Sequence, residues 1–140
     1  PIMLIRLIYA SRARNLGPMD VKDILERSRR NNLALGVTGA LCLSNGIFLQ
    51  CLEGDRRVVN ALYHRILMDA RHTDPAILDF EAIVHRQFGA WSMGIVSSVA
   101  DNQALFLKYA SGPQFDPYDM GPDTLRAFFT ELVANTRWIG

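Results

Sequence analysis

Cysteine is scarce in this chain, two residues in 140, and long apolar runs are missing altogether. No stretch approaches the roughly 18 consecutive apolar residues that a membrane-spanning helix needs. Charge of one sign is missing too: Lys and Arg total 15 against 14 Asp and Glu, a formal net charge of +1. Charge alone therefore points neither to nucleic acid nor to a membrane surface. Internal repeats, low-complexity segments and clusters of metal-ligating residues are absent from the sequence. The opening PIMLIRLIYASRA is apolar for only a few residues and carries Arg6, which fits a strand better than a signal peptide. A chain of this length makes one domain with a substantial core, and the expected setting is the cytoplasm.

Catalytic signatures are equally thin. There is no nucleophile elbow, no Walker loop, no dinucleotide-binding glycine pattern and no pair of inward carboxylates for acid–base work. RNA-binding sheets of similar strand and helix order need stacking aromatics in a basic, glycine-flanked context, which Asn45-Gly46-Ile47-Phe48-Leu49 does not supply. An enzyme is not expected.

What the sequence does have is a hairpin, GVTGALCLSNGIFLQCLEG at residues 36–54. Asn45-Gly46 separates its two apolar runs, and a type I′ turn favours this dipeptide because both central residues need positive φ. Turning there pairs Ser44 with Ile47, Leu43 with Phe48, Cys42 with Leu49 and Leu41 with Gln50. Side chains alternate along a strand, so Phe48, Gln50 and Leu52 face one way and Ile47, Leu49 and Cys51 the other. Both faces are apolar, which makes the hairpin central and covered on both sides. Gln50 breaks the pattern. A buried amide without partners costs about 1–3 kcal/mol, so something polar must meet it. Cys42 and Cys51 fall on one face, one position out of register and near enough to raise a disulfide, with two buried thiols in a reducing compartment the expected state.

Residues 2–9 alternate as a first strand, with Met3, Ile5, Leu7 and Tyr9 on one face. Tyr9 then ends the strand, where open α/β sheets place ligands or where a tyrosine closes a core with its hydroxyl wet. Residues 11–18 read as a loop with Arg12 and Arg14 solvated. A helix over residues 19–30, N-capped by Asp20, turns Val21, Ile24, Leu25 and Ser28 inward, and Asn32 follows as either terminator or ligand contact. Asp55 caps a second helix reaching about residue 71, with the stripe Val58, Val59, Leu62, Ile66, Asp69. Both stripes turn polar at their far ends. Two such helices on one sheet face leave a groove, apolar around Ile24 and Ile66 and polar where Asn32, Asp69, Arg71 and His72 gather. It suits a flat heterocycle with a polar or phosphorylated tail, although His72 alone reads as a surface imidazole.

Residues 76–84 and 90–99 read as two further strands, with Trp91, Met93 and Ile95 sharing a face of the last. This order predicts an α/β (α+β) fold, a ferredoxin-like sandwich. Its five-stranded mixed sheet carries two helices on one face and a C-terminal helical pair on the other. That pair is a short helix over 101–110 and, past a breaker-rich connector, an amphipathic helix over 122–137 in which Leu125, Phe128, Phe129, Leu132, Val133 and Thr136 are in phase. It covers the face of Ile47, Leu49 and Cys51, in its own sheet or in a partner's.

Taken together, Tyr9, Asn31-Asn32, Gly36-Val37-Thr38-Gly39, the run from Gly46 to Gly54, Arg71-His72 and Trp91-Ser92-Met93-Gly94 resemble the BLUF family, blue-light sensors that use FAD. The spacing is similar to that family's: Gln50 lies 18 after Asn32, and Trp91 lies 41 after Gln50. The resemblance covers residues 2–98, which divides the chain into a flavin-binding domain at 1–98 and a helical extension at 99–140. With no catalytic domain attached, the chain resembles the short stand-alone members.

That resemblance implies an isoalloxazine between the two helices, flanked by Ile24 and Ile66, with Asn32 on its pyrimidine edge. Asp69, Arg71 and His72 meet the ribityl and phosphate portion, with Ser11 and Ser28 close by. Gln50 bridges Tyr9 and the flavin. In the family, light drives an electron and then a proton from the tyrosine to the flavin, the hydrogen bonds around the glutamine rearrange, and FAD returns oxidised, so the output is signalling rather than turnover. Trp91 or Met93 is the expected relay to the C-terminal helices, and beyond them to an unidentified protein effector. A homodimer through the sheet or those helices is a further expectation, and neither nucleic acid nor membrane is a partner. The alternative is a ferredoxin-like small-ligand or partner-binding module without photochemistry, in which Gln50 is a structural amide.

Overall fold

The computed structural model describes residues 2–89, 92–97 and 102–135, the side chains of 95–97 and 135 apart. In chain order the elements are β1 (Leu4–Ala13), α1 (Asp20–Leu35), β2 (Thr38–Ser44), β3 (Ile47–Asp55), α2 (Arg56–Leu67), β4 (His72–Ala82), β5 (Gly94–Ser97), α3 (Gln103–Lys108) and α4 (Pro122–Asn135). Four strands pair antiparallel in the order β4-β1-β3-β2, and the short β5 joins β2 in parallel at the far edge.

The hairpin has the register its turn dictates, from Ser44 opposite Ile47 to Leu41 opposite Gln50. Asn45 and Gly46 take φ of 52° and 72°, the paired positive values of a type I′ turn. β3 is buried from Ile47 to Gly54, and alternation divides it between two cores. Phe48 and Leu52 join Ile5, Leu7 and Tyr9 beneath α1 and α2. Leu49 and Cys51 join Ile8, Ala40 and Cys42 beneath Phe106 of α3 and Leu125, Phe128, Phe129 and Leu132 of α4. The C-terminal helix thus covers its own sheet. Gly39 lets the hairpin strands pair closely: a Cβ there would stand 2.0 Å from the Cys51 carbonyl oxygen. Both cysteines are free and buried, and burial pushes both thiols well up from their ordinary pKa.

Several boundaries differ from expectation. β1 continues to Ala13, because β3 and β4 supply ladder partners on both sides even where the sequence turns polar. Tyr9 therefore sits mid-strand, and Ser11 belongs to the sheet, opposite Phe48. α1 runs on through Asn32 to Gly36, whose left-handed φ of 67° closes the helix as its N–H bonds back to the Asn32 and Leu33 carbonyls. The terminator is Gly36. Asp20 is the first helical residue rather than the cap, and its carboxylate accepts the Gly17 N–H. Asp55 does cap α2, accepting the Arg57 N–H, but the helix stops at Leu67. Asp69 and Arg71 consequently lie in the turn after α2, and His72 opens β4. Met93 immediately precedes β5. Trp91 and Thr136 lie outside the described residues.

Candidate functional site

Between α1 and α2, above the sheet, lies a cleft walled by Ile24 and Ile66 and floored by Tyr9, Leu41 and Gln50. Ser28, Asn32, Asp69, Arg71 and His72 line it as well. Ser11 stands one layer back, its Oγ 2.7 Å from His72 Nδ1.

Tyr9 and Gln50 are direct cross-strand neighbours, which aims both side chains at the same spot. The Tyr9 hydroxyl donates to Gln50 Oε1. Gln50 Nε2 faces Met93 Sδ at 3.5 Å, so Met93 points inward and is fully buried. A thioether is a weak acceptor, which leaves the carboxamide N–H groups with bonding capacity to offer a ligand. Burial, followed by the neighbouring Tyr63, pushes the Tyr9 pKa far up, so this phenol is protonated and a donor at any physiological pH.

Tyr63 was not among the residues singled out. Its ring centroid lies 5.0 Å from that of Tyr9. Its position four residues after Val59 was a usable signal, since the two share the inward stripe of α2. Arg27, Asn31 and Arg65 also line the cleft, and a polar or charged residue on an amphipathic helix carries no mark distinguishing a mouth from a solvated face.

Asn32 is buried, and its Nδ2 donates to the Ser92 carbonyl at 2.7 Å, fastening α1 to the segment before β5. That bond uses one of the two Nδ2 hydrogens and leaves Oδ1 as an acceptor. Arg71 is held by three carboxylates: Asp69 at 2.7 Å, Asp23 at 3.0 Å and Asp20 at 3.5 Å. Its hydrogen bonds hold the Asp69 carboxyl down to about 2. Among the described residues, Arg65 is a cleft cation with no such ion pair, while Arg27 reaches Asp23 at 3.4 Å. His72 packs on Phe48, ring centroids 4.7 Å apart, and burial lowers its pKa.

Apolar walls, a carboxamide with spare donors, an amide oxygen and cations at a polar end form a donor set that fits a planar heteroaromatic ring with a phosphorylated tail. Residues 4–94 match the BLUF family, described as sensors of blue light using FAD. The chain belongs to the BLUF family. It is a blue-light sensor domain, and FAD is the cofactor by which the family is defined.

This BLUF chain is 31% identical to the solved structure described as the BlsA photo-activated state, with a TM-score of 0.87 over 96% of this chain and 98% of that one. Against the dark-state structure of the BLUF protein BlrB the identity is 33% and the TM-score 0.79, again over 96% and 98% of the two chains. The photoactivated adenylate cyclase subunit beta of Euglena longa is 36% identical over 92 residues, 64% of this chain. This chain spans only 11% of that protein's length. Among the described residues, no helix is long and apolar enough to cross a membrane, and no group of three or more His, Cys, Asp or Glu side chains is placed to hold a metal ion.

Proposed function

We propose that this BLUF domain reads blue light through Tyr9 and Gln50 and passes the change through Met93 toward its C-terminal helices. The observation that carries this is the buried pair itself: a phenol O–H given to one end of a carboxamide whose other end, among the described residues, faces a thioether. When bound, FAD supplies the light absorption and the one-electron chemistry. Ile24 and Ile66 would hold its ring system, and Asn32 Oδ1 would accept from a ring N–H. Arg71, Asp69, His72 and Ser28 would meet its polar tail, Ser11 would orient His72, and Arg65 suits the phosphates. Tyr9 would be the donor of an electron and its hydroxyl proton to the excited flavin and would take both back, so that no net redox change remains. Gln50 then reverses its polarity by rotation or tautomer exchange, because the two ends of an amide differ in donor and acceptor character but hardly in shape.

Met93 is assigned the relay, because its sulfur touches Gln50. The division into a sensor at 1–98 and a helical cover at 99–140 is supported by the packing of α3 and α4 against the face opposite the cleft. The strand order β4-β1-β3-β2 favours the ferredoxin-like description. We assign the output to a protein partner in the cytoplasm, in keeping with a net charge of +1 and two free thiols.

Gln50→Leu should retain yellow, FAD-loaded protein and lose the light-induced red shift of the flavin absorbance, and Tyr9→Phe should do the same. Difference spectra under blue light decide it. An intact photocycle in Gln50→Leu would remove the switch from this position.

A further inference from the structure

β3 carries a second buried polar side chain three residues beyond Gln50 and on the opposite face. Glu53 is fully buried, and its carboxylate accepts five hydrogen bonds. Oε2 accepts from Arg6 Nε at 3.1 Å, Arg6 Nη2 at 2.8 Å and the Gln87 N–H at 2.8 Å. Oε1 accepts from the Thr38 hydroxyl at 3.1 Å and the Phe88 N–H at 2.9 Å. Arg6 and Thr38 are its neighbours across the sheet, as pairing requires. The two backbone donors are different in kind, for they belong to the segment that leaves β4 at one sheet edge and reaches β5 at the other.

A carboxylate accepts at both oxygens and so takes two consecutive backbone N–H groups at once, and charge assistance makes that hold strong. The pinned residues also meet α4. The Phe88 ring stands edge-on to Phe129 with centroids 5.9 Å apart, and Gln87 Nε2 donates to Thr130 Oγ1 at 3.1 Å. Five residues after Phe88, Met93 touches Gln50. One strand thus grips the same connecting segment at two places, through Glu53 on the α4 side and through Gln50 on the cleft side.

We propose that Glu53 is a positioning residue for signal transmission. It gives the β4–β5 connection a fixed end beside α4, so a change at the Gln50–Met93 contact displaces β5 relative to α4 instead of relaxing along the connection. This rests on the photosensor reading above. Coupling of this kind needs an element with two arrangements that both sites bias, and in this proposal that part falls to β5 moving against an anchored segment.

The test uses the full chain loaded with flavin, with two readouts: the light-induced red shift, and the light-minus-dark difference in amide hydrogen exchange over residues 122–135. Glu53→Gln keeps the side-chain shape but turns one accepting oxygen into a donor. It should leave the red shift unchanged, since Glu53 does not line the cleft, and reduce the exchange difference in α4 about twofold or more. Thr38→Val removes one donor while keeping the charge, and should give the same loss to a smaller degree. It decides the matter if Glu53→Gln does not fold. A merely structural role would raise exchange equally in dark and light and leave the difference intact. Either variant with a wild-type red shift and a wild-type exchange difference overturns the proposal, as does a wild-type protein that shifts its spectrum without any change in α4. A wild-type protein without a red shift would instead bring down the photosensor reading, and this inference with it.

Discussion

The imidazole at position 72 stands between the Ser11 hydroxyl and the Phe48 ring, and burial, against the pull of Asp69, lowers its pKa. The folded chain therefore takes up a proton there less readily than the unfolded chain. Its contribution to stability is complete above the unfolded imidazole value of about 6.5 and is lost as pH falls below that. Denaturant melts between pH 8 and pH 5 should show the midpoint declining below about pH 6.5, and His72→Gln should flatten the decline. Equal slopes in the two proteins would assign the effect elsewhere. Asp69 acts in the same sense further down, because its carboxyl is held at about 2 by Arg71. At this scale Gln50 was legible because it is the one amide in an apolar strand face. Tyr63 was legible only as an inward residue of α2, since an aromatic in a helical stripe reads as packing, and Arg65 was not legible, since a helical arginine reads as solvent-facing. That Arg71 would be spoken for by three aspartates from two parts of the chain is a tertiary fact that no local pattern carries.

Among the elements, the hairpin was readable to the residue, because turn chemistry and alternation act within a few positions of each other. Helix ends were not. α1 outran its expected end because Gly36, not Asn32, takes the left-handed conformation, and α2 stopped short where the Asp69–Arg71 pair stabilises a turn. The parallel seat of β5 beside β2 is likewise absent from local sequence, since it depends on a connection crossing from the opposite edge. Gly39 tests the closeness of the hairpin strands. Gly39→Ala should cost about 3 kcal/mol or more, the upper range for overpacking, since its Cβ would fall 2.0 Å from a backbone oxygen that cannot swing aside. Denaturant unfolding of the two proteins measures it, and a loss well below 1 kcal/mol would mean that the strands part easily.

For the molecule as a whole, the sheet is a partition between a ligand-facing core and a second core closed by α4. Phe128 sits at the centre of the latter, its ring against Phe106, Phe115 and Phe129. Phe128→Ala should cost about 3–5 kcal/mol of stability. The dark flavin spectrum should hardly move, because that cavity opens on the far side of the sheet from the cleft. A spectrum that shifts with the substitution would show the two cores to be less separate than the packing indicates. Arg126 adds a polar clasp at the rim, reaching Asp79 at 2.7 Å and Glu81 at 3.1 Å. The layering was foreseeable in part, since the hydrophobic pattern called for a cover on both faces of the hairpin but left open whether α4 covered its own sheet or a partner's.

The alternation of β3 has a consequence for assembly. Sliding that strand by a single position would swap every side chain between the two cores, setting the Cys51 thiol where the Gln50 carboxamide belongs and leaving an amide stranded in hydrocarbon. A misaligned sheet would have no partner for Tyr9 and nothing to offer a pigment. Yellow colour acquired during refolding would then count correctly threaded molecules, and a chromatographic fraction that stays colourless with FAD in excess would hold the slipped ones.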